Sequence, residues 1–237
     1  MKILITICAR GGSKGLPGKN IKPLNGQPLI AYSIKNAKEI STDYDCDIAL
    51  STDCERIKNT VKQYLELDKY LRPPNLSTDS ASKVETIKHL LLYHENQKKI
   101  KYDLILDLDV SSPMRTKDDL KKSLDMVIND KECINLFSVS KAKKNPYFNM
   151  VEKKDNGYYD LVSKGQQFSN RQSTPDVYEM NASFYIYKRE FFDMKKITPF
   201  SERSLAYIMP NICFDIDHKI DFLFLDYLIQ TNKVDLS

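Results

Sequence analysis

The chain has no tryptophan, only three histidines, and five cysteines scattered singly at Cys8, Cys46, Cys54, Cys133 and Cys213. Without a Cys-x-x-Cys pair or a Cys/His cluster, neither a zinc site nor a disulfide framework is expected. Isolated thiols of this kind read as small buried residues. His89 lies in a helical apolar pattern and His218 at the start of the last helix, so no Ser/His/Asp triad can be assembled. No apolar run approaches the roughly 20 residues of a membrane helix. The opening Met1–Ile5 is too short for a signal peptide, and the expectation is a cytoplasmic protein with no membrane partner. The formal charge of +4 is mild and its basic residues are spread along the chain. Nucleic-acid binding needs a concentrated basic face, which is missing.

What remains is ordinary globular composition, 41% apolar and 29% charged, in 237 residues. That length suits one domain. Lys2–Cys8 is a short β-branched run, as expected of a strand buried on both faces. Pro28 opens a helical pattern through about Ile40. Asp47–Ser51 reads as a second strand, with Asp53 as the cap of a helix to about Leu65. Tyr70–Leu71 is a candidate strand, and Ser82 caps a helix to about Glu95. Further strands are expected at Asp103–Asp109, Asn135–Val139, Ser183–Tyr187 and Phe214–Asp217. Helices are expected at Lys117–Ile128 and Lys219–Ile229. Strands alternating with helices imply an α/β layer sandwich with a mostly parallel sheet. Residues 141–180 break the alternation with Pro146, Asn156-Gly157 and Pro175. An irregular excursion of that length reads as a lid, a binding arm or a dimer contact.

Glycine is scarce as well, and four of the seven glycines stand between residues 11 and 18. They belong to Ala9-Arg10-Gly11-Gly12-Ser13-Lys14-Gly15-Leu16-Pro17-Gly18-Lys19-Asn20, directly after the first strand. Glycines let backbone N–H groups turn toward a ligand, while Arg10, Lys14 and Lys19 supply cations. Donors and cations at this place in an α/β fold describe a polyphosphate cradle. It is not a Walker A loop, because Ser13 and Asn20 replace the first Gly and the final Ser/Thr. Neither Gly11 nor Gly12 begins a Gly-x-Gly-x-x-Gly spacing.

The string from Ala9 to Asn20 resembles the opening signature of the acylneuraminate cytidylyltransferases, Ala-Arg-x-x-Ser-Lys-Gly, a spacer, then Lys-Asn. This family makes CMP-activated sialic acids and bacterial relatives such as legionaminic acid. The resemblance implies a Rossmann-like nucleotidyltransferase fold in a single domain spanning 1–237, with 141–180 as an inserted dimerisation or lid arm. It places Arg10, Ser13 and Lys14 at the phosphates of CTP, Lys19 at the departing pyrophosphate and Asn20 at the nucleoside. Ala9, Gly11 and Gly12 complete that nucleotide-binding loop. Arg72-Pro73 and Asp79-Ser80-Ala81-Ser82 resemble the segment that reads cytosine, with Arg72, Ser80 and Ser82 as its contacts. Asp215-Ile216-Asp217 matches the family's metal-holding Asp-Ile-Asp, so Mg2+ is the implied cofactor. Residues i and i+2 of a strand share one face, which would let both carboxylates meet one ion. Arg10, Lys14, Lys19, Asp215 and Asp217 are the expected catalytic set.

The sugar side resembles the family less closely. Leu108–Thr116 aligns with its substrate loop and keeps Ser112-Pro113 and Arg115-Thr116, with Ser111 in place of Thr. Asp109-Val110 replaces the usual Gln-Pro, exchanging an amide donor for a carboxylate. Arg171-Gln172 and Asn181-Ala182 fit the later Arg-Gln and Asn-Gly motifs, but Glu179-Met180 stands where a second Arg is common. The implied sugar contacts are therefore Asp109, Ser111, Ser112, Arg115, Arg171, Gln172 and Asn181. Departures confined to this side imply preserved chemistry with an altered sugar, such as N,N'-diacetyllegionaminic acid. The partners implied are CTP, an acidic nine-carbon sugar and a second copy of the chain. N-acetylneuraminate is the alternative sugar. An eight-carbon-acid synthetase is weighed against by Ser111, where its metal residue is expected. A non-catalytic nucleotide-binding module is the rival of another class.

Overall fold

The computed structural model describes residues 1–165 and 168–236. Strand β1 (Lys2–Cys8) leads into the glycine-rich loop, and a small hairpin follows, β2 (Pro23–Leu24) and β3 (Gln27–Pro28). Its two-residue turn is Asn25-Gly26, both at positive φ (47° and 77°), the pairing that tight hairpins demand. Then come α1 (Leu29–Ile40), β4 (Asp45–Ser51), α2 (Glu55–Val61), α3 (Lys83–Lys98), β5 (Leu104–Leu108) and α4 (Lys117–Asn129). The second half holds β6 (Asn135–Lys141), the hairpin β7 (Val151–Lys153) and β8 (Tyr159–Leu161), β9 (Tyr178–Lys188), β10 (Ser204–Ile208) and α5 (Lys219–Gln230).

The central sheet runs β10-β6-β9-β5-β1-β4. β1 pairs in parallel with β4 and β5, and β10 with β6, whereas β9 runs antiparallel between β5 and β6. The mostly parallel α/β sheet is thus as expected, with one reversed strand inside it. Alternation along the strands sorts the core into two layers. Ile3, Ile5 and Ile7 of β1 pack with α1, α2, α4 and α5, while Leu4 and Ile105 face the other way against Val84, Ile87, Leu90 and Leu91 of α3. Helices on both faces of the sheet make three layers.

Three local expectations are corrected. Tyr70–Leu71 is not a strand: Tyr70 is buried with its hydroxyl paired to the His89 ring, and Leu71 is exposed. Phe214–Asp217 lies outside the sheet and outside any ladder. Asp53 does not cap α2, whose N-cap is Cys54; its carboxylate accepts the Gly11 N–H at 2.9 Å instead. Ser82 does cap α3, accepting from the Glu85 N–H.

The topology also makes a crevice. From β1 the chain goes to β4 on one side and returns to β5 on the other, so the loops leaving these strands diverge at their carboxyl ends. Open α/β sheets bind ligands at such switch points.

Candidate active site

A cleft of about 530 Å³ opens there, walled by the glycine-rich loop, the segment before α3, the loop after β5, and Asp217. The first wall is built from the backbone outward. Ala9 continues the β1 ladder by donating to the Ser51 carbonyl at 2.9 Å. Asn20, itself buried, donates its amide to the Arg10 carbonyl at 2.9 Å and ties the two ends of the loop together. Gly15 is required by a close approach, since a Cβ there would lie 2.2 Å from the Asp217 carbonyl oxygen. Arg10, Ser13, Lys14 and Lys19 all line the cleft. Across it, Asp79 receives Arg10 Nη1 at 2.6 Å and also pairs with Lys14.

Asp215-Ile216-Asp217 is positioned by packing where a strand was expected. Ile216 is fully buried, worth roughly 1.5–3 kcal/mol for such a side chain, and its N–H donates to the Ser111 carbonyl at 2.8 Å. Lys19 Nζ donates to the Ile216 carbonyl at 2.5 Å and stands 3.4 Å from Asp217 Oδ1. Burial, then the charges of Asp109 and Asp217, push the Asp215 carboxyl up to about 7. Its Oδ1 is buried without a hydrogen-bond partner.

An orphaned carboxylate oxygen beside a second and a third acid is what a divalent cation would satisfy. Among the described residues no group of three His, Cys, Asp or Glu side chains forms a metal cage. Magnesium seldom uses an all-protein cage and takes one or two carboxylates together with phosphate oxygens and water. Asp215 and Asp217 fit that role.

On the sugar side, Asp109 and Ser111 reach the cleft. Burial pushes the Asp109 carboxyl up, but the Lys83 charge and the Ser111 hydrogen bonds win and bring it down to about 2. The other expected sugar contacts are placed elsewhere. Arg115 is buried, and its guanidinium donates to the carbonyls of Asp109, Ser112 and Ser183 and to Ser33 Oγ, so it braces the loop instead of facing the cleft. Ser112 is fully buried against Cys213 Sγ. Asn181 is buried too, bridging Ser138 and Ser140 at the irregularity between β6 and β9. Arg171 and Gln172 line a separate cavity of about 380 Å³ with Lys141, Asn145 and Asp176.

The expected nucleotide contacts divide similarly. Arg72 reaches the cleft while donating Nε and Nη2 to Ser51 Oγ and the Ser51 carbonyl. Ser80 is exposed next to Thr78, and Ser82 is committed to the α3 cap and the Ile197 carbonyl. Sequence reasoning missed Asp79 and Lys83. Both flank residues it did select, Ser80 and Ser82, and a charged side chain beside the segment expected to read cytosine was the available signal.

The sheet order, the glycine-rich loop at its switch point and the cations facing paired acids define a nucleotidyltransferase-type α/β fold. The family model for cytidylyltransferases matches residues 4–236, and the chain belongs to that family. It is 37% identical over 234 residues to "Post-translational flagellin modification protein B" of Campylobacter coli, covering 98% of this chain and 97% of that one. It is 36% identical over 234 residues, with the same coverage, to the CMP-N,N'-diacetyllegionaminic acid synthase of Campylobacter jejuni. Among solved structures, a CMP:2-keto-3-deoxy-manno-octonic acid synthetase complexed with CTP superposes with a TM-score of 0.68 at 15% identity, covering 98% of this chain and 100% of that one. At that identity the likeness concerns the fold.

Proposed function

We propose that this chain transfers CMP from CTP to the anomeric hydroxyl of a nine-carbon 2-keto sugar acid, N,N'-diacetyllegionaminic acid, releasing pyrophosphate. The observation that carries the reading is the cleft itself: Arg10, Lys14 and Lys19 line one space together with Asp217, Asp109 and Ser111. The full-length resemblance to the Campylobacter jejuni synthase supports this choice of sugar.

Both substrates are anionic, so their approach needs counter-charge and fixed positions more than covalent chemistry. Arg10 and Lys14 hold the triphosphate against the loop N–H groups. Lys19 stabilises charge on the departing pyrophosphate. Asp215 and Asp217 would hold Mg2+, which supplies further charge neutralisation at the phosphates when bound. Arg72 orients the cytosine, and Asn20 keeps the loop in shape through its bond to the Arg10 carbonyl. Ser111 presents its hydroxyl to the sugar. A homodimer built on the 141–180 arm would let Arg171 and Gln172 serve a second copy's cleft. The protein would work in the cytoplasm, and no helix of the described residues is long and apolar enough to cross a membrane.

The test is pyrophosphate release with CTP, Mg2+ and a panel of acidic sugars. Diacetyllegionaminic acid should give the highest kcat/KM, ahead of N-acetylneuraminate. Arg10→Ala and Asp217→Asn should each lose about 10²–10³-fold in rate while remaining folded. Failure to make any CMP-sugar, with CTP still bound, would favour the non-catalytic nucleotide-binding reading.

A further inference from the structure

We infer that Lys83 selects the sugar in this cleft, donating from its ammonium to a neutral oxygen of the acidic substrate. This rests on the CMP-sugar reading above and names the group that reads its acceptor. Lys83 is the first residue of α3, and the Ser82 cap fixes where it emerges. Its Nζ lies 2.6 Å from Asp109 Oδ2 and 2.9 Å from Asp107 Oδ2, and 4.7 Å from the centre of the Tyr185 ring. The side chain is 32% exposed and lines the cleft beside Asp109 and Ser111.

Asp109 itself is already engaged. One oxygen accepts the Ser111 N–H at 2.8 Å and the Ser111 hydroxyl at 2.6 Å, and the other accepts Lys83. A carboxylate offers no donor, so the amide donor expected at this position of the substrate loop is lost with Asp109. Lys83 restores one, because an ammonium has three N–H groups and only Asp109 accepts a hydrogen bond from it, Asp107 being an ion-pair partner. The Tyr185 ring holds the ammonium from one side.

Charge decides which acceptor it can read. Asp107 and Asp109 against a single ammonium leave the trio net negative. A sugar carboxylate would be repelled, whereas a hydroxyl or an acyl carbonyl would not.

The competing account makes Lys83 only the counter-ion of the fully buried Asp107. Lys83→Met and Lys83→Gln separate the two, since both delete the charge but only Gln keeps a donor. With diacetyllegionaminic acid, Lys83→Met should raise the sugar KM about tenfold or more, the loss of a hydrogen bond from a charged group. Lys83→Gln should stay within about threefold of wild type, and the KM for CTP should move less than about twofold in either. Both variants should lose similar Tm. Equal rises in sugar KM, or a rise for CTP instead, would overturn the inference. Should Lys83→Met not fold, Lys83→Gln alone decides, because the counter-ion account expects it to lose sugar affinity. Wild-type protein that makes no CMP-sugar sinks the functional reading and this inference with it, whereas wild-type turnover with matched variants sinks the inference alone.

Discussion

Gly15 and the Asp217 carbonyl touch: a Cβ on the glycine would fall 2.2 Å from that oxygen and 3.2 Å from His218 Nδ1. The phosphate loop and the acidic segment are therefore packed backbone to backbone at the Asp217 carbonyl, which cannot swing aside as a side-chain end could. Gly15→Ala must push Asp217 away from Lys19. Overpacking of this kind costs about 1–3 kcal/mol, and misplacing the charged groups should cost about 10²-fold in CMP-sugar formation. Gly12→Ala meets nothing within 4 Å and is the stability control. A Gly15→Ala protein with wild-type Tm and turnover would show that the contact has no role.

Elements whose cause is local were legible in the sequence. Pro28 before α1, Ser82 before α3 and the doubly buried run of β1 each carry their signal within a few residues. The glycine-rich loop was legible because its composition has few uses. What failed was long-range. Asp53 looked like a cap because only its neighbours in sequence are visible there, whereas its partner, Gly11, is 42 residues away. Arg115 looked like a sugar ligand because no pattern reveals that Ser33 and Ser183 will receive its donors. The reversal of β9 was illegible for the same reason, since alternation gives a strand its faces but not its direction.

Asp215 gives the metal-free protein a pH signature. Its carboxyl is raised from 3.8 to about 7 in the folded state, chiefly by burial. Between those values the folded form holds a proton that the unfolded form has released, so stability falls as pH rises through this window. Three units correspond to about 4 kcal/mol at most. In EDTA, wild-type Tm should therefore drop from pH 4.5 to pH 7.5 by more than that of Asp215→Asn, which lacks the group. Parallel curves for the two proteins would remove Asp215 as a buried, raised acid.

Ala182 occupies the left-handed region with φ of 54° beside the β6–β9 irregularity, where the resembling family carries glycine. A non-glycine residue there costs about 1–2 kcal/mol. Glycine removes that cost but loses more chain entropy on folding, about 0.5–1 kcal/mol. The balance favours Ala182→Gly by about 0.5–1 kcal/mol, or roughly 1–4 °C in Tm for a chain of this size. Differential scanning calorimetry decides it, and a lowered Tm would mean the methyl's packing outweighs the strain.

Asp79 is the acid that CTP has to contend with. It pairs with Arg10 and Lys14 at once, and those two cations pull its carboxyl below the usual range. A triphosphate entering the loop competes for the same two groups, so each ion pair to Asp79 must be given up or shared. Exposed pairs of this kind are individually weak, because water and salt screen them. Releasing both should tighten CTP binding by about 2–10-fold in Asp79→Asn, measured by calorimetry without sugar. Because the freed cations then meet only the nucleotide, its Kd should rise more steeply with salt than in the wild type. Weaker binding in Asp79→Asn would instead make Asp79 part of the nucleotide's own contact surface, with Arg10 and Lys14 held in place by it.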